Sequence, residues 1–91
     1  MDEKEKEILL IAQEECAEVT QAISKVFRFG YSSIHPDGGK NNRESLEEEI
    51  GDFLCMVDLM VEKNIVNRYN LIESAQKKRK KLEKWSNIFY E

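Results

Sequence analysis

Two short acidic segments are the parts of the sequence best suited to chemistry. "EECAE" covers residues 14 to 18 and "EEIGD" covers residues 48 to 52. Each contains two acids spaced i, i+3, which places both side chains on one face of an α-helix. The two pairs are Glu15 with Glu18 and Glu49 with Asp52. Four carboxylates brought together in this way can bind a divalent cation.

Helical periodicity places both pairs on faces that we expect to pack. At about 100° per residue, Glu15 lies at the centre of the first apolar stripe and Glu18 at its edge, while Glu49 and Asp52 point into the second. Most glutamates face solvent, but a buried carboxylate without a partner costs several kcal/mol. No basic residue stands three or four positions from Glu15. The sequence therefore predicts counter-charge from outside the chain, most simply a metal ion.

The ligand types indicate which metal this would be. Carboxylate oxygens are hard donors that suit Mg²⁺, with Mn²⁺ as a possible substitute. Di-iron and di-manganese helical bundles pair Glu with His at i, i+3. The single histidine, His35, stands among glycines and a proline, apart from the acids. We therefore favour Mg²⁺ over a di-iron centre.

The distribution of apolar residues, glycine and proline predicts an all-α fold. The segment from Gly30 to Asn42 contains the only proline and three of the four glycines, and it is predicted to be a loop. No stretch alternates at period two for long enough to indicate a strand. Ser45 and Glu48 fit a capping box at the start of the second helix. The predicted helices run from about Glu3 to Phe29, from Asn42 or Ser45 to about Lys63, and from a cap at Asn67 or Asn70 to about Trp85.

Chain length predicts a single domain, residues 1–91, with a thin core. The expected architecture is a hairpin of two long helices plus a third helix. The third helix has a heptad-like seam, formed by Leu71, Ala75, Lys78, Leu82, Trp85 and Phe89. Association with a second copy would remedy the thin core, and an apolar seam of this kind agrees with it.

Charge and hydropathy bear on partners and location. Fourteen basic and eighteen acidic residues give a net charge of −4, so no nucleic-acid partner is indicated. Met1 is followed by "DEKEKE", unlike a secretory signal, and no apolar run approaches the roughly 18 residues of a membrane span. We expect a soluble cytoplasmic protein without a membrane partner, with Cys16 and Cys55 as buried free thiols.

Together, "EECAEVTQAISK" and "EEIGDFLCMVD" resemble the MazG-like all-α nucleoside triphosphate pyrophosphohydrolases, a family marked by ExxE in one helix and ExxD in the next. The likeness extends from about residue 8 to residue 82. A later segment, "AQKKR", places Lys78 on a lysine that family members tend to carry. The chain departs from the family at Gln76, where asparagine is common, and in a longer loop from Gly30 to Asn42.

The resemblance implies hydrolysis of a ribo- or deoxyribonucleoside triphosphate to the monophosphate and pyrophosphate, by attack of metal-bound water on the α phosphorus. It also implies a homodimer or a homotetramer, in which helices from two subunits complete a four-helix-bundle-type core. Glu14 or Glu18 is the expected general base. The implied metal ligands are Glu15, Glu18, Glu49 and Asp52; the expected phosphate contacts are Lys78, Lys25 and Arg28; the candidate base or sugar contacts are Asn42, Tyr31 and Trp85.

A second interpretation is a non-catalytic helical dimerisation or regulatory module. In that case the acids would meet basic residues of a partner, such as the "KKRKK" run at residues 77 to 81. The two interpretations differ in their response to ions. Divalent cations should stabilise the enzyme, whereas the module should respond to salt alone.

Overall fold

The computed structural model describes residues 1–90, and this part of the chain forms three α-helices and no strand. The helices are α1 (Glu3–Phe29), α2 (Asn42–Glu62) and α3 (Arg68–Trp85). The all-α prediction is confirmed, with helix ends close to those expected from the sequence. Residue 91, which the predicted domain of residues 1–91 includes, lies outside the described part.

Local capping interactions fix most of the helix ends. The Asp2 side chain accepts a hydrogen bond from a backbone N–H in the first turn of α1. Gly30 ends that helix with a φ of 82°, and its N–H donates to the Val26 carbonyl at 2.8 Å. The Asn67 side chain caps α3. Asn67 is one of the two alternative cap residues that the sequence predicts.

The predicted capping box at the start of α2 is wrong by one helical turn. Asn41 Oδ1 accepts from the Glu44 N–H at 2.9 Å, and Glu44 Oε1 accepts from the Asn41 N–H at 3.1 Å. Ser45 already lies inside the helix, because its N–H donates to the Asn41 carbonyl. Glu48 pairs instead with Lys40 of the preceding loop, at 2.7 Å. The loop's own contacts therefore start α2 earlier than the Ser45 pattern indicates.

Helices α1 and α2 pack side by side and form the predicted hairpin. The connecting loop is tied back onto the start of α2. The Asn42 N–H donates to the Ser33 carbonyl at 3.1 Å, and the Asn42 side-chain amide donates to the Gly30 carbonyl at 2.9 Å. These bonds fix the spacing between the end of α1 and the beginning of α2.

Helix α3 stands away from the hairpin, so the chain is flat. Its extents are 42 × 38 × 14 Å and its radius of gyration is 16.2 Å, against about 12 Å for a compact chain of this length. Among residues 1–90 the buried apolar side chains are only Ala12, Ala22 and Met56. The hydrophobic core of one chain is therefore even smaller than the chain length predicts.

Within residues 1–90 most of the predicted seam on α3 is uncovered, and of its members only Leu82 is half-buried. Leu71 and Trp85 are both exposed, Trp85 to 76%. Cys16 and Cys55 are exposed as well, so the expectation of buried thiols is wrong for the single chain. The physical reason is that each long helix has one neighbour, which covers only one of its faces.

None of the helices in the described part of the chain is both long enough and apolar enough to cross a membrane.

Candidate metal centre

The hairpin brings acids of both sequence motifs together. Glu15 of α1 meets Glu49 and Asp52 of α2, and each offers a carboxylate oxygen within 4.8 Å of the other two. The i, i+3 spacing places Glu49 and Asp52 on the same side of α2, and the packing of the helices supplies the third group. Sequence spacing and helix pairing together therefore create a three-carboxylate cluster.

The acids are less buried than the sequence pattern predicts. Glu15 and Glu49 are half-buried, whereas Glu18 and Asp52 are exposed. The expectation that all four lie on packed faces is therefore wrong for the single chain. Two helices cover only the middle of their shared contact, and the flanking positions Glu18 and Asp52 remain open to solvent.

Glu18 lies beside the cluster rather than within it. It lines a small cavity of about 100 Å³ together with Glu49. Glu14, the other predicted proton acceptor, is exposed and is not one of the three clustered acids. Thus three of the four predicted ligands meet directly, and Glu18 adjoins them through the cavity it shares with Glu49.

No ion pair among the described residues balances the negative charge of the cluster. Partial burial raises the pKa of Glu49 above its ordinary value, and the neighbouring acids raise it further, Glu18 and Asp52 before Glu15 and Glu48. Four ion pairs of Lys or Arg with a carboxylate form among residues 1–90, besides a contact of His35 with Asp37, and none includes any of the four motif acids. The described residues therefore leave the cluster without a direct ion-pair partner, although Lys25 lines the cavity beside Glu18 and Glu49.

The donor set fits a hard divalent ion. All three clustered groups are carboxylates, which Mg²⁺ and Mn²⁺ prefer, and neither sulfur nor imidazole contributes. With Mg²⁺ to oxygen distances of about 2.1 Å, two ligand oxygens lie at most about 4.2 Å apart. Carboxylates within 4.8 Å of one another reach that separation by small side-chain rotations, since Asp52 is exposed and the other two are half-buried.

Comparison with known families agrees with this geometry. The family model described as the MazG nucleotide pyrophosphohydrolase domain matches residues 3–87. The chain belongs to this family. It has no match among the curated proteins and none among the solved structures. The family match covers all three helices of the MazG domain, so it confirms the resemblance on which the sequence interpretation rests.

Two of the predicted phosphate contacts of this MazG domain lie near the acids. Lys25 lines the small cavity beside Glu18 and Glu49, and Lys25 and Arg28 both line a larger cavity next to it. Lys78 is exposed on α3, which does not pack extensively on the other helices. One chain therefore does not bring Lys78 to the cluster, and its role stays a prediction.

The three candidate base or sugar contacts have different surroundings. Asn42 lines both cavities while its side-chain amide donates to the Gly30 carbonyl. The Arg43 guanidinium lies 4.7 Å from the centre of the Tyr31 ring. Trp85 is exposed, with the Lys84 ammonium 5.1 Å from its ring centre. Their contacts with a nucleotide stay predictions.

Sequence reasoning missed Lys40. Its ammonium group lies 2.7 Å from Glu48 Oε2, which ties the end of the loop to the acidic segment of α2. The pairing spans eight positions across a loop, so helical periodicity gives no sign of it. The available signal was that Lys40 is the only Lys or Arg between Gly30 and Asn42 and directly precedes the cap of α2.

Proposed function

We propose that this MazG domain, spanning residues 1–91, hydrolyses a nucleoside triphosphate to the monophosphate and pyrophosphate with Mg²⁺, or with Mn²⁺ as a substitute. Glu15, Glu18, Glu49 and Asp52 would hold the metal. One observation carries the proposal: carboxylates from two helices converge within 4.8 Å without a basic partner among residues 1–90. Family membership supplies the pyrophosphohydrolase chemistry.

The electrostatics of the cluster explain the need for the ion. A triphosphate is a polyanion, and Glu15, Glu49 and Asp52 would repel it. A divalent ion bound there would supply positive charge to the phosphate oxygens and would acidify a water molecule. The half-burial of Glu15 and Glu49 limits their hydration, so their charges interact more strongly than on an open surface.

Glu18 is the better placed of the two candidate proton acceptors. Both side chains are exposed, but Glu18 borders the cavity that Glu49 also borders, and Glu14 does not. In the reaction, a water oxygen bonds to the α phosphorus and the bond from that phosphorus to the bridging oxygen breaks. Pyrophosphate leaves, and Glu18 accepts a proton from the attacking water.

We also propose that the functional form is a homodimer or a homotetramer. The support is the flat shape, only 14 Å in its smallest extent, together with large apolar side chains left exposed, such as Phe27 at 86% and Leu54 at 55%. A second copy would cover these surfaces and complete a four-helix core. The predicted phosphate contact of Lys78 then requires α3 of the second copy, while Lys25 and Arg28 act from the same chain.

Pyrophosphate release tests the activity directly. The purified protein is incubated with each common ribo- and deoxyribonucleoside triphosphate and their modified forms, with Mg²⁺ and separately with excess chelator. We expect metal-dependent release of pyrophosphate, with the monophosphate as the other product. Release of inorganic phosphate with a diphosphate product would contradict attack on the α phosphorus, and no turnover of any nucleotide would refute the enzyme interpretation.

A further inference from the structure

The largest cavity near the acids lies against the loop and not among the acids. It has a volume of about 570 Å³ and is enclosed by the end of α1, the loop between the helices and the start of α2. Cavities of this size accommodate small-molecule ligands. The residues that matter for its chemistry are three cations and three apolar side chains: Lys25, Arg28, Lys40, Phe29, Ile34 and Pro36.

This cavity, which we call the loop cavity, adjoins the acidic cluster. The small cavity beside Glu18 and Glu49 is lined in addition by Lys25, Asn42 and Ser45, and these same three residues line the loop cavity. The two spaces therefore share a wall. A ligand that reaches the acids with one group can place a neighbouring group in the loop cavity.

The charge of the loop cavity is opposite to that of the acidic cluster. Its lining includes three cationic side chains and no carboxylate. Lys40 is partly balanced by Glu48 at 2.7 Å, whereas neither Lys25 nor Arg28 forms an ion pair among the described residues. A neutral group would gain nothing from these charges, but a group with several negative charges would be attracted by them.

The remaining features of the loop cavity strengthen this attraction. The Arg28 guanidinium lies 4.8 Å from the centre of the Phe29 ring, and this contact favours one orientation of the cation. Apolar walls next to charges of one sign concentrate the electric field on a bound ligand. Helix α2 begins at the cavity with Asn42, so the positive end of its dipole adds to the field.

We propose that the loop cavity binds the β and γ phosphates of the substrate, the part that leaves as pyrophosphate. This inference rests on the proposed function, which places the α phosphate at the acids. The nucleoside then extends away from the loop, which sets aside the predicted base or sugar contacts of Tyr31 and Asn42. It follows that the loop recognises the length of the polyphosphate and not the identity of the base. The competing arrangement places the nucleobase against Phe29, Ile34 and Pro36.

Inhibition by the two products separates these arrangements. The variants Lys40→Met and Arg28→Met each remove one cation of the loop cavity while keeping much of the side-chain length. Each variant removes a charged hydrogen-bond partner of the bound phosphates, so each should raise the inhibition constant of pyrophosphate about tenfold or more. The inhibition constant of the monophosphate, made from the best triphosphate substrate, should stay within about twofold.

Glu48→Gln is the matched control for Lys40→Met. It breaks the same ion pair but keeps the cation, so pyrophosphate inhibition should be unchanged or stronger. If the monophosphate constant rises and the pyrophosphate constant does not, the nucleoside occupies the cavity and the proposal is wrong. The proposal is equally wrong if both inhibition constants rise together or if neither changes. It is also wrong if Glu48→Gln raises the inhibition constant of pyrophosphate as much as Lys40→Met does.

Calorimetric titration of magnesium pyrophosphate into the wild-type protein and Lys40→Met gives a readout independent of turnover. Binding about tenfold tighter to the wild type supports the loop cavity as a diphosphate site, and equal affinities overturn it. A protein that hydrolyses no triphosphate but shows this difference would refute the proposed function without refuting the site. A protein with normal turnover and equal affinities would refute only the site.

Discussion

The Glu15 carboxylate of α1 and the Glu49 carboxylate of α2 each offer an oxygen within 4.8 Å of the other, and Asp52 offers one within the same limit of both. No ion pair among residues 1–90 balances any of the three. The hairpin thus holds like charges together at a cost in stability. Such a cost is typical of binding sites, where an arrangement that is unfavourable without ligand becomes favourable with it.

The raised pKa of Glu49 predicts that Glu49→Gln stabilises the metal-free protein. Because burial and neighbouring acids raise this pKa, the charged form destabilises the fold above the folded-state pKa. This penalty is relieved as the pH falls through that pKa. At pH 7 with chelator, the variant should therefore melt at a higher temperature than the wild type, and the difference should shrink towards about pH 4.

Glu47→Gln provides the control for this measurement, because Glu47 is exposed on α2 and is not part of the cluster. Its melting temperature should follow that of the wild type at both pH values. A Glu49→Gln variant that melts below the wild type at pH 7 without metal would show that the Glu49 charge stabilises the fold, contrary to our interpretation.

Removing either of the two proposed metal-binding side chains of α2 should abolish turnover and leave the helices intact. Glu49→Ala and Asp52→Ala should each lower the rate of pyrophosphate release by more than about a hundredfold, because a metal site is sensitive even to the loss of groups behind its ligands. Circular dichroism should show unchanged helix content. Glu47→Ala serves as control and should retain its rate. Full activity in either cluster variant would refute the assignment of these ligands.

The observed capping box predicts a difference between two neighbouring substitutions. Asn41→Ala removes the acceptor for the Glu44 N–H and should reduce the free energy of unfolding by about 1 kcal/mol. Ser45→Ala lies within the helix, where Ser and Ala differ less, and should change it by no more than about 0.5 kcal/mol. Urea denaturation measures both. A larger loss for Ser45→Ala would restore the sequence-based assignment of the cap.

The exposed apolar side chains predict self-association that a charge can disrupt. Leu54 is 55% exposed on α2, so Leu54→Glu should lower the mass measured by light scattering from a dimer or tetramer towards that of a monomer. Lys4→Glu introduces the same side chain at an exposed position near the start of α1 and should leave the mass unchanged. A wild-type protein that is monomeric at high micromolar concentration would contradict the proposed assembly.

The sequence was sufficient to predict the helices and to place each pair of acids on one helix face, because both depend on local rules. Gly30 and Asn67 have the conformations and contacts expected of helix ends, and the i, i+3 spacing places Glu49 and Asp52 on one side of α2. The start of α2 was harder to predict, since Asn41 with Glu44 and Ser45 with Glu48 both satisfy the capping pattern. Hydrogen bonds from the loop decide between them.

Exposure and tertiary pairing could not be predicted from periodicity. The apolar stripes correctly indicate which faces can pack but not which faces have a partner, so Cys16, Cys55 and most of the seam of α3 are exposed in the single chain. The contact of Lys40 with Glu48 depends on the path of the loop. For the same reason, the loop cavity becomes apparent only when the ends of α1 and α2 are placed in space.

Calorimetric titration of Mg²⁺ tests the central claim most directly, namely that divalent ions neutralise the acidic cluster of Glu15, Glu49 and Asp52. The wild-type protein, freed of metal, should bind Mg²⁺, and at a hundredfold excess over the dissociation constant it should gain about 2.7 kcal/mol in stability. Glu49→Ala and Asp52→Ala should lose both effects, while Glu47→Ala should keep them. The account would be contradicted if the wild-type protein binds neither Mg²⁺ nor Mn²⁺ and gains no stability from either ion, while its stability does change with salt concentration.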